Sequence, residues 1–140
     1  MAFQTNVPKF FTKEEVNEFA DFLDRYVLLE KAKPQRTFYY VILLDDIIVG
    51  SGGFGDRYGN GRLTLTWGLL HKKYHKKGLG KALLLHRLEN AAKVYPNAKV
   101  FLDTTQHTQG FFAKFGFKVE KISKDYYAEG MHRYDMVLQI

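Results

Sequence analysis

Apolar positions along this 140-residue chain follow two rhythms, and the switches between them predict its elements. Val16, Phe19, Ala20, Leu23, Tyr26 and Val27 recur at helical spacing, which predicts a helix over 12–29 with one buried face. Thr12 with Glu15 makes a capping box at its start, and Pro34 blocks its continuation. Residues 38–44 are then an unbroken β-branched and aromatic run, followed by Asp45-Asp46 and a second run over 47–54. That pattern predicts a hairpin. Gly50, Gly52 and Gly53 imply a bulge or a close backbone approach in its second arm. A polar, glycine-rich turn at 56–61 leads into a strand over 62–70.

Past residue 80 the helical rhythm returns. Leu84, Leu85, Leu88, Ala91, Ala92 and Tyr95 define the packed face of a helix over 81–95 that Pro96 stops. A strand at 100–104 follows, then a short helix at 109–115 with Gly116 placed for a left-handed cap. Strands near 117–122 and 131–138, separated by a loop containing Asp125 and Gly130, close the chain. The order helix, three strands, helix, strand, helix, two strands predicts an α/β (mixed α+β) domain built on one mixed sheet. No domain-sized repeat or low-complexity linker interrupts it, so 1–140 reads as a single domain.

Between the strand at 62–70 and the helix at 81–95 stands His75-Lys76-Lys77-Gly78-Leu79-Gly80. A strand feeding a glycine-pinched turn that opens a helix is a common device for holding phosphate. The helix start presents unpaired N–H groups and the positive end of its dipole. Five lysines among the ten residues 72–81 add side-chain charge at the same place. The formal net charge of +6 has solubility as its plain explanation and nucleic-acid binding as its sharper one. Because the lysines gather at the glycine turn, a compact anion fits better than a long polyanion.

Composition narrows the chemistry further. Cysteine is absent, which excludes disulfides, thiolate metal sites and a cysteine nucleophile, and it fits a reducing compartment. His71, His86 and His132 lack metal-ligand spacing, so no metal is expected. The first eleven residues have no charged-then-apolar signal pattern, and no run approaches the roughly 18 apolar residues of a membrane span. A cytoplasmic protein with no membrane partner is the expectation.

The chain resembles the GNAT superfamily of acetyl-CoA-dependent N-acetyltransferases. Two motifs carry the resemblance. The first is that family's diphosphate loop (Arg or Gln, two residues, Gly, one residue, Gly or Ala), met by His75 to Gly80. The second is the segment from Thr105 to Phe117, a short helix ending in Gly116-Phe117. The closing Asp125-Tyr126-Tyr127 … Gly130 … Arg133-Tyr134-Asp135-Met136 also resembles the family's C-terminal hairpin. The match spans roughly 38–140. It implies the acyl-CoA N-acyltransferase fold: a central, mostly antiparallel sheet of about six or seven strands with helices on both faces, its fourth and fifth strands (here 62–70 and 100–104) splayed apart.

The resemblance also implies roles. Acetyl-CoA would be the cosubstrate and an amine the acceptor, attacking the thioester directly. The backbone of Lys76, Lys77, Gly78, Leu79, Gly80 and Lys81 would hold the diphosphate, with the Lys76 and Lys77 side chains as further phosphate ligands or simply a solvated charge run. Leu69 and Leu70 would hold the thioester carbonyl at the splay, Thr105 would contact the pantetheine arm, and Phe111 and Phe112 would pack along the cofactor or the core. Two residues depart from the family pattern. His75 replaces the long Arg or Gln that braces the loop, and Phe112 stands where many members have the Tyr that protonates the leaving thiolate.

For proton transfer the residues themselves offer Asp103 and His107 as bases and Tyr126 or Tyr127 as acids. Each has a plain alternative: a strand-end cap for Asp103, a surface site for His107, hairpin packing for the tyrosines. Trp67 reads as core or as a wall of the cleft. An acyl-CoA-binding module without turnover and a basic nucleic-acid-binding domain are the competing functional readings. Exposed edge strands would also allow a homodimer.

Overall fold

The computed structural model describes residues 37–56 and 60–140. The helix expected over 12–29 and the side chain of Trp67 lie outside the described residues. Strands β1 (Thr37–Leu44) and β2 (Ile47–Gly55) form the expected hairpin. Its turn residues have φ of 50° at Asp45 and 64° at Asp46, the left-handed pair that matches the twist of a two-residue hairpin. β3 (Leu63–Leu70) runs back along β2, and α1 (Leu79–Val94) follows the glycine turn. β4 (Lys99–Thr104), α2 (Gln109–Ala113), β5 (Lys118–Ala128) and β6 (Met131–Gln139) complete the described chain. Gly116 has φ of 94°, the left-handed conformation expected after the short helix.

The six strands make one sheet in the order β1-β2-β3-β4-β6-β5, antiparallel except where β3 meets β4. That parallel contact is brief: only Leu63 with Val100 and Thr64 with Phe101 are paired. Beyond Thr64 the strands part, which is the expected splay.

Two bulges shape this region. Against β1, the second arm has Gly50 opposite Ile42 and Ile48 opposite Leu43, so β2 carries one extra residue at Val49, as its glycines suggested. Between β2 and β3 the register passes from Ser51–Leu69 to Gly53–Thr66, so here the extra residue belongs to β3. An extra residue bends its strand and increases its twist, and this one falls where β3 leaves β4.

Leu63, Leu65, Val100, Leu102, Phe54 and Met136 pack with Leu84 and Ala91 of α1 to form the core. The helix begins at Leu79 rather than at residue 81, and its buried residues are Leu83, Leu84, Arg87 and Ala91. Leu88 and Tyr95 pack at the edge of the core as expected, but Leu85 and Ala92 face outward. Both lie a third of a turn around from the 84–88–91–95 stripe, so the expected face was too wide on that side. The last hairpin is longer than expected, because Asp125 lies within β5 at φ 52°, in a register irregularity between Ser123 and Ala128. Since residues alternate across a sheet, the neighbours of these core positions, including Thr64, Phe101, Asp103, Arg133 and Asp135, project from the face opposite α1.

Candidate functional site

The glycine turn is built as the sequence implied. Lys76 and Gly78 take φ of 59° and 79°, and Gly78 caps α1 without any side-chain hydrogen bond. No acidic residue lies in the first turn. The N–H groups of Leu79, Gly80 and Lys81 therefore point outward from a helix start with no intrahelical acceptor, a donor set suited to phosphate oxygens. A Cβ on Gly80 would meet only the tip of the Phe111 ring, 3.8 Å away, so α2 bounds the space over this turn. Lys77 Nζ lies 5.6 Å from the centre of the Tyr74 ring, Lys73 Nζ 5.8 Å, and the Lys76 and Lys77 side chains are exposed.

His75 occupies the position of the family's brace and makes a brace of its own. Its Nε2 lies 2.9 Å from the carbonyl oxygen of Leu70, tying the turn to the end of β3. Leu69 and Leu70 pair with Ser51 and Gly50 on the side away from the splay. Thr105 is buried, and its hydroxyl accepts the N–H of His107 at 3.3 Å within the turn before α2. Phe112 is half-buried against the core, 5.8 Å centre to centre from Phe117, whereas Phe111 is the ring beside Gly80.

Of the four proton-transfer candidates, the structure brings Asp103 and Tyr127 together. Tyr127 donates a hydrogen bond from its hydroxyl to Asp103 Oδ2. His107 is exposed in its turn and does not line the cavity that Asp103 faces. That cavity, about 290 Å³, lies over the last paired rung of β3 and β4, Thr64 with Phe101, beside the point where the strands part and on the face opposite α1. Arg62, Thr64, Phe101, Asp103, Arg133 and Asp135 form its wall. Arg133 Nε donates to Asp135 Oδ1 at 2.9 Å, and an Arg133 terminal nitrogen lies 3.9 Å from Asp103 Oδ1. Burial on its own would lower the Arg133 guanidinium, but the Asp135 hydrogen bond and the charges of Asp103, Asp135 and Tyr127 hold it above its ordinary range.

Arg62 was not singled out in the sequence, and Arg133 and Asp135 entered there only as part of the C-terminal hairpin pattern, with no site role. Arg133 and Asp135 share a face by strand alternation, a signal available without coordinates. Arg62 follows a turn ordered by side chains: Asp56 accepts the N–H groups of Asn60 and Gly61, and Asn60 Oδ1 accepts that of Arg62 at 3.0 Å. Gln106 clamps the loop after β4 to the last hairpin, donating to the Gly130 carbonyl at 2.6 Å and accepting the His132 N–H at 2.9 Å.

Arg87 is a second cation the pattern hid. Only 4% exposed, it lies against Gly52 and Gly68, where an added Cβ would come within 3.0 and 2.9 Å of its guanidinium. One terminal nitrogen donates to the Gly53 carbonyl at 3.3 Å, and Nε has no partner among the described residues. Desolvation pushes this guanidinium down to about 10, opposed by Tyr39.

Among the described residues no group of three or more His, Asp or Glu side chains could hold a metal ion, and no helix is long and apolar enough to cross a membrane. None of the curated protein sequences is significantly similar to the chain. Solved structures are. A protein of Desulfovibrio desulfuricans assigned to the GNAT acetyltransferases superposes with a TM-score of 0.79 at 22% identity, covering 99% of this chain and 87% of its own. An aminoglycoside 6'-N-acetyltransferase complexed with coenzyme A gives 0.64 at 15% identity, over 80% and 77% of the two chains. The ribosomal-protein-S18-alanine N-acetyltransferase of Escherichia coli gives 0.65 at 18%, over 81% and 76%. At these identities the likeness establishes the fold. The family model for the acetyltransferase (GNAT) domain matches residues 8–140, nearly the whole sequence. The chain therefore belongs to the GNAT family of acetyl-CoA-dependent acetyltransferases.

Proposed function

We propose that this protein transfers an acetyl group from acetyl-CoA to a primary amine of a small molecule or peptide, by direct attack in a ternary complex. The observation that carries this reading is the arrangement around the β3–β4 gap. A glycine turn with unpaired N–H groups precedes the helix on one face of the sheet, and a polar cavity opens on the other face over the last paired rung, beside the gap. An extended thioester entering the gap from the turn would present its carbonyl toward an amine held in the cavity. The coenzyme A in the aminoglycoside 6'-N-acetyltransferase structure supports the same use of the fold.

The donor set fits the cosubstrate. The N–H groups of the turn and first helical residues, Lys76 to Lys81, bind the diphosphate, the His75 bond to Leu70 fixes the turn relative to β3, and Phe111 borders the site. Leu69 and Leu70 orient the thioester at the gap, and Thr105 and Phe112 support the α2 wall. The amine nitrogen attacks the carbonyl carbon, the C–S bond breaks, and the sulfur leaves as thiolate. The nitrogen gives up its proton to solvent, and the thiolate takes one. Asp103, held by Tyr127 and Arg133, faces the ammonium form of the acceptor. The opposite charge of the carboxylate favours the charged ammonium over the free amine, so Asp103 acts here by binding the acceptor. The outer end of the β1–β2 hairpin exposes Leu43, Ile47 and Ile48, which supports pairing of two copies.

The second reading, acyl-CoA binding without turnover, rests on Phe112, which has no proton to give the leaving thiolate. Coenzyme A release from acetyl-CoA across a panel of primary amines separates the two. Amine-dependent release supports acetyl transfer; tight acetyl-CoA binding with no release from any amine would remove it in favour of binding alone.

A further inference from the structure

The cavity over Thr64 and Phe101, beside the β3–β4 gap, has matched charges, two arginines and two aspartates, but they are not equivalent. Arg133 and Asp135 are committed to each other, with both Arg133 Nε and a terminal nitrogen 2.9 Å from Asp135 Oδ1. The other two face the cavity differently. Asp103 is held from one side by the Tyr127 hydroxyl and from the other by Arg133, and its carboxylate is 42% exposed. Arg62 lies over Phe101, its guanidinium carbon 3.7 Å from the ring centre, and among the described residues no carboxylate is within ion-pair distance of it. A planar guanidinium stacked on an aromatic ring keeps its edge donors free for a bidentate acid. The cavity thus offers a half-exposed carboxylate and a guanidinium that has no carboxylate partner among the described residues, in a volume at the small end of ligand sites.

From this we infer that the acceptor is an amine that also bears an acid group: its ammonium is held at Asp103 and its carboxylate or related anion at Arg62. The inference rests on the proposed acetyl transfer for the identity of the amine as acceptor, but the recognition itself does not depend on turnover. A polyamine or a simple alkylamine, cationic and without an acid group, would leave Arg62 unmatched. An amine-bearing acid satisfies both ends and keeps the cavity electrically neutral.

The test compares matched ligands on the full-length protein loaded with coenzyme A. The probes are ω-amino carboxylates of three to six carbons, the corresponding aminoalkyl phosphonates, and the amides of the same amino acids. Binding is read by calorimetry, and acetyl transfer is read separately as coenzyme A release from acetyl-CoA. Carboxylates or phosphonates of at least one chain length should bind about 10-fold or more tightly than their amides, the effect of one charge-assisted pair. In Arg62→Gln the acid-to-amide ratio should fall toward one, and in Arg62→Lys it should partly return. Because the ratio is taken within one variant, a change in its folded fraction does not affect it. Equal binding of acids and amides, or a preference that persists in Arg62→Gln, would overturn the inference, even if neutral amines release coenzyme A. Arg62-dependent preference for acids without any release would support it while removing the acetyl-transfer reading. A carboxylate-only or phosphonate-only preference identifies which acid the cavity takes.

Discussion

His75 Nε2 stands 2.9 Å from the carbonyl oxygen of Leu70, across the turn that joins β3 to α1. A carbonyl only accepts, so the imidazole carries its proton on Nε2 in this bond. The residue that appeared in the sequence to have lost the family's brace supplies one from a shorter side chain. His75→Ala should raise the dissociation constant for acetyl-CoA about 3- to 10-fold, the worth of one hydrogen bond. His75→Gln, which can present an N–H at similar reach, should recover most of it. Unchanged affinity in the alanine variant would mean that the bond does not order the turn.

Gly78 and Gly80 are expected to respond in opposite directions. Gly78 has φ of 79° with open space around it, so alanine there costs about 1–2 kcal/mol through backbone conformation alone. Gly80 lies inside α1, and its added Cβ would meet Phe111 at an ordinary 3.8 Å. Gly80→Ala should therefore gain up to about 1 kcal/mol of helix propensity and keep its acetyl-CoA affinity. Gly80→Leu should stay folded but lose that affinity. Thermal melts with and without acetyl-CoA separate these effects, and a Gly80→Leu protein still stabilised by the ligand would move the diphosphate elsewhere.

Burial makes Arg87 a cost rather than a support. Among the described residues its guanidinium has one carbonyl partner and an Nε without one. Arg87→Met should match or exceed the wild-type melting temperature, while Arg87→Ala, which leaves a cavity, should lose about 2–4 kcal/mol. The pH dependence has a definite sign. In the folded protein this group titrates at about 10, below its ordinary value of 12.5. Below pH about 10 both states are protonated and the folded state bears the full desolvation cost. As pH rises through 10 the folded state sheds its proton first and the cost is relieved. The advantage of Arg87→Met over wild type should thus shrink between pH 8 and 11; a constant difference would show that desolvation is not the cause.

Tyr127 is bonded to Asp103 and can act in two distinguishable ways. If it positions the carboxylate that receives the acceptor's ammonium, Tyr127→Phe should raise KM for the amine several-fold with little change in kcat. A fall in kcat at unchanged KM would instead make Tyr127 the acid that protonates the thiolate. Asp103→Asn should raise KM more than Tyr127→Phe does, because it removes the charge itself. The pH profile of kcat/KM should follow the acceptor's own ammonium in wild type and in Tyr127→Phe alike.

Phe112 packs against Phe117 with its ring half-buried. A hydroxyl added by Phe112→Tyr should raise kcat if thiolate protonation limits the rate. An unchanged rate would place the slow step elsewhere.

Local pattern alone determined much of this protein. The hairpin at Asp45-Asp46, the glycine turn opening α1 and the left-handed Gly116 were all legible, because each depends on a few adjacent residues and on backbone sterics. The unpaired N–H groups at the start of α1 belong with them, since their position follows from strand, glycine and helix in that order.

Only the tertiary structure decided what faces what. The bulge that steers β3 away from β4 depends on register with β2, and Arg87 entered the packed stripe because two glycines on neighbouring strands left room for it. Arg62, Asp103, Tyr127 and Arg133 come from four separate segments, and a hydrogen bond or charge pair between them carries no periodic signal. Their meeting depends on long-range strand pairing, which one-dimensional pattern does not encode. For that reason the acyl donor was readable in the sequence, and the proposal for the acceptor rests on the cavity alone.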